Sequence, residues 1–492
     1  MKKSILHGSI LLSSFLIVLI LLTGCTKKIE DVGKVPITTV SDEAKQDFLK
    51  GRDMFEKLQF QESLQHFENA LAKDNNFALA YYYHANANTT TKGFFEDLDK
   101  AVALADKISE GEKLIILALQ ATANGDQKAQ EDHLAKLVQL YPNDERAHGL
   151  LGQFYFGQQD YNKAIEHLSK ATEIAPNYSS SYNMLGYSNR NLNNYTEAEK
   201  AFKKYIELIP DDPNPYDSYA ELLMKEGKYE QSIEQYRKAL SINPNFVASF
   251  IGIADNCNFL GKYDDARKEL QTLYDKARND GEKRAALFAM TVSYADEGNL
   301  DKALEEMQKQ YDLGAKINDA GAMAGDLNTM GNILFEAGKY DEAMKKYDQT
   351  VEVTLASNLS NEIKENTKTF HLYNLGRVWL MKNNIKGAKE KADEFSEKAK
   401  AANNTFQIWL SHELLGSIAL QEKNYSKAES EFKMANQQNP YTYYRLGLVY
   451  QGMKDKAKAD EHFKKAANFN SLTNLNQSFV RAKSRNMMTS SM

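Results

Sequence analysis

Few side-chain constellations in this 492-residue chain have the types and spacing that chemistry requires. The stretch HELLG, His412 to Gly416, comes nearest to a zinc-hydrolase motif, in which two histidines one helical turn apart hold the metal and a glutamate acts as base. Here the second histidine is replaced by Gly416, so a metal ligand is missing and packing accounts for the residues. The acidic run DDPNPYD, residues 211–217, lacks the alternating ligands and bidentate glutamate of a calcium loop. Asp212 before Pro213 reads instead as a helix N-cap followed by a first-turn proline. Cys257 falls at an inward position and is expected to pack as a small apolar residue. Nine histidines are scattered, and no glycine-rich phosphate loop, GxSxG elbow or paired CxxC occurs. The expectation is no catalytic residue, no metal and no cofactor.

Formal net charge is −6, and removing residues 1–24, which carry Lys2, Lys3 and no acidic residue, gives −6 − 2 = −8. Lys and Arg alternate with Glu and Asp rather than gathering into a basic face, which argues against nucleic acid. A composition of 42% hydrophobic and 26% charged residues is that of a soluble protein, and excludes a disordered chain or a polytopic membrane protein.

Positioning elements emerge from periodicity. QDYNKAIEHLSKATEIAPN, NNYTEAEKAFKKYIELIPD and GKYEQSIEQYRKALSINPN follow one another at 34-residue intervals, as do Pro142, Pro176, Pro210 and Pro244 and the aromatics Tyr161, Tyr195, Tyr229 and Tyr263. A fixed period of this size marks a repeat solenoid. Aligned, the phrases show Leu at position 7, Gly or Ala at 8, an aromatic or apolar residue at 11, Ala at 20, apolar residues at 24 and 27, and Pro at 32. This pattern resembles the tetratricopeptide repeat. The unit starting at Glu145 supplies Leu151, Gly152, Tyr155, Ala164, Leu168, Ala171 and Pro176. Small residues at 8 and 20 are expected to let two antiparallel helices approach closely, with large residues at 7, 11 and 24 filling the surrounding space. Further units start near Ala44, Ala78 and Gly111, and the pairs Gly331 with Ala343, Gly376 with Ala388, Gly416 with Ala428 and Gly447 with Ala459 are each 12 residues apart.

The resemblance implies an all-α, right-handed α-solenoid of about twelve helical hairpins. A regular array would occupy 44–278, longer-period repeats 279–408 and a C-terminal pair 409–471. Residues 472–492 would form a capping helix and tail, with Leu472, Leu475, Phe479 and Val480 on the covering face.

The N-terminus begins with Lys2 and Lys3, continues through an apolar run from Ile10 to Leu22, and ends in LTGC. This is a signal layout, too short for a comfortable span. Leu22–Thr23–Gly24–Cys25 resembles the lipobox of bacterial lipoproteins, which implies removal of residues 1–24 and acylation of Cys25. The alternative is an uncleaved signal anchor. Residues 25–43 are expected to be a lipidated tether, flexible from Thr26 to about Val40, with a reach of at most about 50 Å. Thr26 after the cysteine leans, by the same resemblance, towards an outer membrane facing the periplasm.

In tetratricopeptide solenoids, positions 2, 5, 6, 9, 12 and 13 face a concave groove. Transferred here, the groove would present Asn183, Tyr187, Arg190, Asp217, Glu221 and Lys225, then Asn328, Asn332, Tyr373, Asn374, Arg377, Tyr444 and Arg445. Amide, guanidinium and phenol groups suit an extended peptide. A clamp for a peptide's terminal carboxylate is excluded: Asn332 and Asn374 match it, but its basic positions hold Asn328, Leu410 and Leu414. The implied function is a lipid-anchored, non-enzymatic adaptor of the bacterial envelope that binds other envelope proteins or peptides. The alternative is a lipoprotein that captures a solute or glycan at the outer membrane.

Overall fold

The computed structural model describes residues 33–489. The described residues are all-helical, with 25 α-helices, one 3-10 turn and no strand. The helices pair as α1 (Asp42–Glu56) with α2 (Phe60–Lys73), α3 (Ala78–Ala87) with α4 (Thr91–Leu104), α5 (Glu110–Asn124) with α6 (Gln127–Leu140), α7 (Glu145–Gly157) with α8 (Tyr161–Ile174), α9 (Ser179–Asn191) with α10 (Tyr195–Leu208) and α11 (Asn214–Lys225) with α12 (Tyr229–Ile242). They continue as α13 (Val247–Phe259) with α14 (Tyr263–Lys276), α15 (Asp280–Glu297) with α16 (Leu300–Lys316), α17 (Ala320–Glu336) with α18 (Tyr340–Ala356), α19 (Asn361–Met381) with α20 (Ile385–Ala401), α21 (Thr405–Gln421) with α22 (Tyr425–Met434) and α23 (Pro440–Gly452) with α24 (Lys456–Ala467). These twelve hairpins are followed by the single helix α25 (Leu475–Thr489). The stretched period from about 284 to 408 comes from longer helices, such as α15 with 18 residues and α19 with 21, against 14 in α10 and α12.

Within a hairpin, the residue at position 8 makes room chiefly for the residue at position 24. A Cβ added at Gly186 would stand 2.5 Å from the Phe202 ring, at Gly331 2.4 Å from Tyr347, and at Gly447 2.5 Å from Phe463. At Gly152 it would meet Leu168 at 2.8 Å and the Ala164 carbonyl oxygen at 3.4 Å. The small-against-small expectation is thereby refined. Ala at 20 brings the backbones close, but the missing Cβ at 8 seats a large side chain that fills the interhelical space. The reversal between helices needs a left-handed residue, which is Gly227 at φ 78° in one unit, Asn193 at 61° and Gln159 at 60° in others.

At DDPNPYD the helix starts one residue later than expected. Pro213 is the N-cap, Pro215 lies in the first turn of α11, and Asp212 accepts from the Asn214 amide at 3.0 Å and from Gln59 Nε2 at 2.7 Å.

First helices of neighbouring units touch one another, as α1 does α3, α7 does α9, α11 does α13 and α19 does α21, whereas consecutive second helices make no comparable contact among the described residues. The first helices therefore line the inside of the bend. The bend is tight enough that successive turns of the coil meet. Arg278 Nη1 lies 2.6 Å from Glu62, the Thr91 amide donates to Asp319 at 3.0 Å, and Gln159 Nε2 donates to Asn436 at 2.6 Å, across sequence separations of 216, 228 and 277 residues.

Two terminal segments depart from expectation. Residues 34–40 are not a free tether but an extended segment laid across the starts of three units. The amides of Val35, Thr38 and Val40 donate to Asp144 (2.8 Å), Glu112 (2.7 Å) and Asp74 (3.1 Å). Carboxylates thus satisfy a backbone that has no helical partner, while Val35 and Ile37 pack on the N-terminal core. Helix α25 packs on α23 and α24 as a cap would, but also crosses to α15. The signal segment and Cys25 lie outside the described residues. Among those residues no helix is long and apolar enough to cross a membrane.

Candidate binding surface on the inner face

The inner face divides into three parts. In the central part, the residues expected to line a groove are turned towards partners in the same chain. Tyr187 donates to Glu221 at 2.7 Å, Arg190 Nη1 reaches the other Glu221 oxygen at 2.9 Å, and the Arg190 guanidinium stands 4.6 Å over the Tyr187 ring. Asp217 accepts from Ser249 at 2.6 Å. Burial, followed by the nearby Glu221 charge, pushes its carboxyl up to about 8. The Lys225 ammonium donates to the Phe469 carbonyl at 2.6 Å and lies 3.9 Å from that ring's centre. Burial, then the Arg190 charge, lowers its pKa to about 7. These pairings hold the coil together, because the groups are desolvated and meet partners within the protein, Arg190 Nε excepted among the described residues.

The C-terminal part is similarly cross-linked. Asn374 donates to Asn328 at 3.0 Å, and Asn332 accepts from Arg377 and from Tyr347, each at 3.0 Å. Arg377 lies 4.3 Å over Phe335 and 5.2 Å over Tyr373. Glu413 of α21 accepts from Tyr373 of α19 and lies 2.9 Å from Arg445 of α23, tying three units together. Arg377, Tyr444 and Arg445 edge a mainly apolar recess of about 400 Å³ with Leu380, Leu414 and Leu448.

The N-terminal part holds what the sequence reading passed over. A recess of about 290 Å³ lies between α1, α3, α5, α7 and α9, with the docked segment at Lys34, Val35 and Ile37 along one side. Its wall carries Phe55, Tyr82, Tyr83 and Tyr178 together with Asn86, Gln153, Asn183, Arg52 and Arg146. Arg146 is matched, with Nε and Nη2 on Glu56 at 2.7 and 3.1 Å and Nη1 on Glu145 at 2.6 Å. Arg52 is half-buried, its guanidinium 5.6 Å from the Phe48 ring, and no carboxylate among the described residues pairs with it. The buried Ser181 Oγ and Asn183 Oδ1 also have no partner among these residues. Of the residues expected from the sequence, Asn183 alone lines this recess. The signal was available, since Arg52, Asn86 and Gln153 stand at position 9 of the units starting at Ala44, Ala78 and Glu145.

Among the described residues no group of three His, Cys, Asp or Glu side chains could hold a metal. In HELLG, His412 pairs with Glu431 at 2.7 Å, Glu413 belongs to the three-unit tie, and Gly416 seats Phe432. Cys257 is a free, buried thiol in the core around Ala220, Tyr236 and Leu270, and burial raises its pKa.

Residues 144–211, 223–290 and 440–471 each match the tetratricopeptide repeat family. Outer dynein arm-docking complex subunit 4 of Xenopus laevis is 26% identical over 140 residues, covering 28% of this chain and 25% of that protein, so the chain spans a quarter of that relative's length. A solved tetratricopeptide repeat protein from Parabacteroides merdae aligns over 58% of this chain and 100% of its own, at 14% identity and a TM-score of 0.36. The MamA protein aligns over 33% of this chain and 88% of its own, at 23% identity and a TM-score of 0.28.

Proposed function

We propose, from the premise that this chain is a tetratricopeptide-repeat protein, that it is a non-enzymatic scaffold held at the bacterial cell envelope by acylated Cys25 and binding a segment of another protein in its N-terminal recess. The carrying observation is the contrast along the inner face. The charged ends of Glu221 and Lys225 in the central part are engaged within the chain and leave isolated unpartnered atoms such as Arg190 Nε. The N-terminal recess instead gathers, around an open space of about 290 Å³, a guanidinium at Arg52 that no carboxylate among the described residues pairs with and the unpartnered Ser181 Oγ and Asn183 Oδ1 beside aromatic rings. An extended segment would supply amides for the unpartnered atoms, an apolar side chain for the rings and an acidic group for Arg52.

The docked segment suits the anchor reading, since it carries Gly33 to Asn143 beside this recess. The eight residues from Cys25 to Val32, positions 25–32, span at most about 28 Å, so the recess would face its partners close to the lipid surface, at an outer membrane on the periplasmic side. Capture of a solute or glycan is less well supported, because consecutive hairpins leave no non-repetitive insertion around a ligand site among the described residues.

A photocrosslinking residue at Gln153, exposed in the recess wall, is compared in intact cells with one at Lys200, exposed outside the bend. The reading expects one discrete protein adduct from Gln153, absent from Lys200 and lost with Arg52→Glu. Cys25→Ser should move the chain out of the membrane fraction. Identical adducts at both positions would remove the scaffold reading, and unchanged membrane association would remove the anchor.

A further inference from the structure

The inner face of α13, α15 and α17 is filled by the chain's own C-terminal segment, and we propose that this face is an acidic seat for a helix, held in cis by α25 and taken over by a basic amphipathic helix of a partner protein. This surface is separate from the N-terminal recess.

The contacts define the seat. Arg481 Nη2 donates to Asp296 at 2.5 Å and to the Asn258 carbonyl at 2.7 Å, and Lys483 reaches Glu336 at 2.6 Å. Ahead of the helix, the amide and hydroxyl of Thr473 donate to Asp255 at 2.6 and 3.0 Å. Ser478 donates to the Val292 carbonyl at 3.2 Å, and Phe479 enters the core cluster of Ala295, Met330 and Ile333. Carboxylates from three consecutive first helices thus meet a single segment: Asp296 and Glu336 pair with the cations Arg481 and Lys483, and Asp255 accepts from Thr473, with the Phe479 ring seated ahead of the two cations. The seat selects for an aromatic residue followed two positions later by Arg and two further by Lys, as in Phe479, Arg481 and Lys483.

The place of α25 makes the occupant replaceable. It follows the last hairpin as a single helix with no hairpin partner of its own, and its buried side is largely polar. Here Gln477, Ser478, Arg481 and Ser484 are buried, and Gln477 Nε2, Arg481 Nη1 and Ser484 Oγ have no partner among the described residues. A lone terminal helix can leave without opening a hairpin, so α25 is held less firmly than a repeat of the array.

The test uses the intact chain and a fluorescent synthetic peptide of residues 469–489. Arg481→Glu weakens the cis contact by setting two carboxylates together, and this variant should bind the peptide at least about tenfold more tightly than the wild-type chain does. Adding Asp296→Lys should abolish that binding. Hydrogen exchange on the wild-type chain provides the reading if Arg481→Glu does not fold, because α25 amides should exchange before those of α23 and α24. Equal peptide binding by wild type and Arg481→Glu, α25 exchange only on global unfolding, or exchange of α25 between two copies in a stable dimer would each overturn the proposal.

Discussion

Arg146 on α7 reaches back past two intervening units to fork onto Glu56 of α1, with Nε on one carboxylate oxygen at 2.7 Å and Nη2 on the other at 3.1 Å. The pair closes the N-terminal recess across the bend. Both side chains are largely shielded, and the guanidinium also stands 5.2 Å over Tyr178, so its geometry is fixed from two sides. Glu56→Gln should cost on the order of 1–3 kcal/mol in denaturant unfolding of the N-terminal units. Arg146→Lys should cost a similar amount, since an ammonium cannot reproduce the fork. A loss below about 0.5 kcal/mol for both would mean that the pair is a surface ornament.

The seating of position 24 by position 8 gives a sharper stability test. A Cβ at Gly186 would intrude to 2.5 Å from Phe202, while one at Gly325, on an exposed part of α17, meets nothing within 4 Å. Gly186→Ala should therefore destabilise by about 1–3 kcal/mol through overpacking. Gly325→Ala should stabilise by about 0.4–1 kcal/mol, because helical glycine loses more chain entropy than alanine. Urea titration of the two variants should show changes of opposite sign.

Buried titrating groups on the inner face set a pH profile. Burial raises Asp217 from 3.8 to about 8, Asp255 to about 7 and Asp296 to about 6. In each case folding takes up a proton, so stability is fullest below 3.8 and is lost as pH rises through the native value. Lys225 runs the other way, lowered from 10.5 to about 7 by burial; its contribution is complete above 10.5 and is lost as pH falls to about 7. The melting temperature should accordingly fall from about pH 4 to about pH 8 and recover in part above that. Asp217→Asn should raise it at about pH 8 by a few degrees and by much less at about pH 5. Equal shifts at both pH values would contradict a proton uptake at Asp217.

The HELLG stretch offers a test that separates packing from metal chemistry. Glu413→Gln removes the charge facing Arg445 and weakens the acceptor for Tyr373, which should cost on the order of 3 kcal/mol. His412→Ala loses only its contact with Glu431, and should cost about 1 kcal/mol. Zinc added to the wild-type chain should leave its melting temperature unchanged. A zinc-dependent rise that vanishes in His412→Ala would restore the metal reading.

Much of the fold was legible because its determinants are local and repeated. Gly152 and Leu168 lie sixteen residues apart in one hairpin, and the same spacing recurs at Gly186 with Phe202 and Gly447 with Phe463. The state of the inner face was not legible, because it depends on closure of the coil. Lys225 meets Phe469 across 244 residues, and nothing near either residue announces the partner. The register rule correctly placed Tyr187, Glu221 and Lys225 on the first helices, yet could not show that their polar ends are used internally. The docked segment at residues 34–40 was missed for another reason: it has no helical period of its own and takes its order from carboxylates more than 30 residues away.

The central claim is that the middle of the inner face is closed by the chain itself while the N-terminal recess is open. Single cysteines placed at Asn86 and at Ser218 of a chain carrying Cys25→Ser test it directly in the folded protein, with the buried Cys257 as a slow background. The account predicts that a maleimide modifies Asn86→Cys nearly as fast as Lys200→Cys on the outer surface, and Ser218→Cys at least about a hundredfold more slowly. Equal labelling at positions 86 and 218 would contradict it.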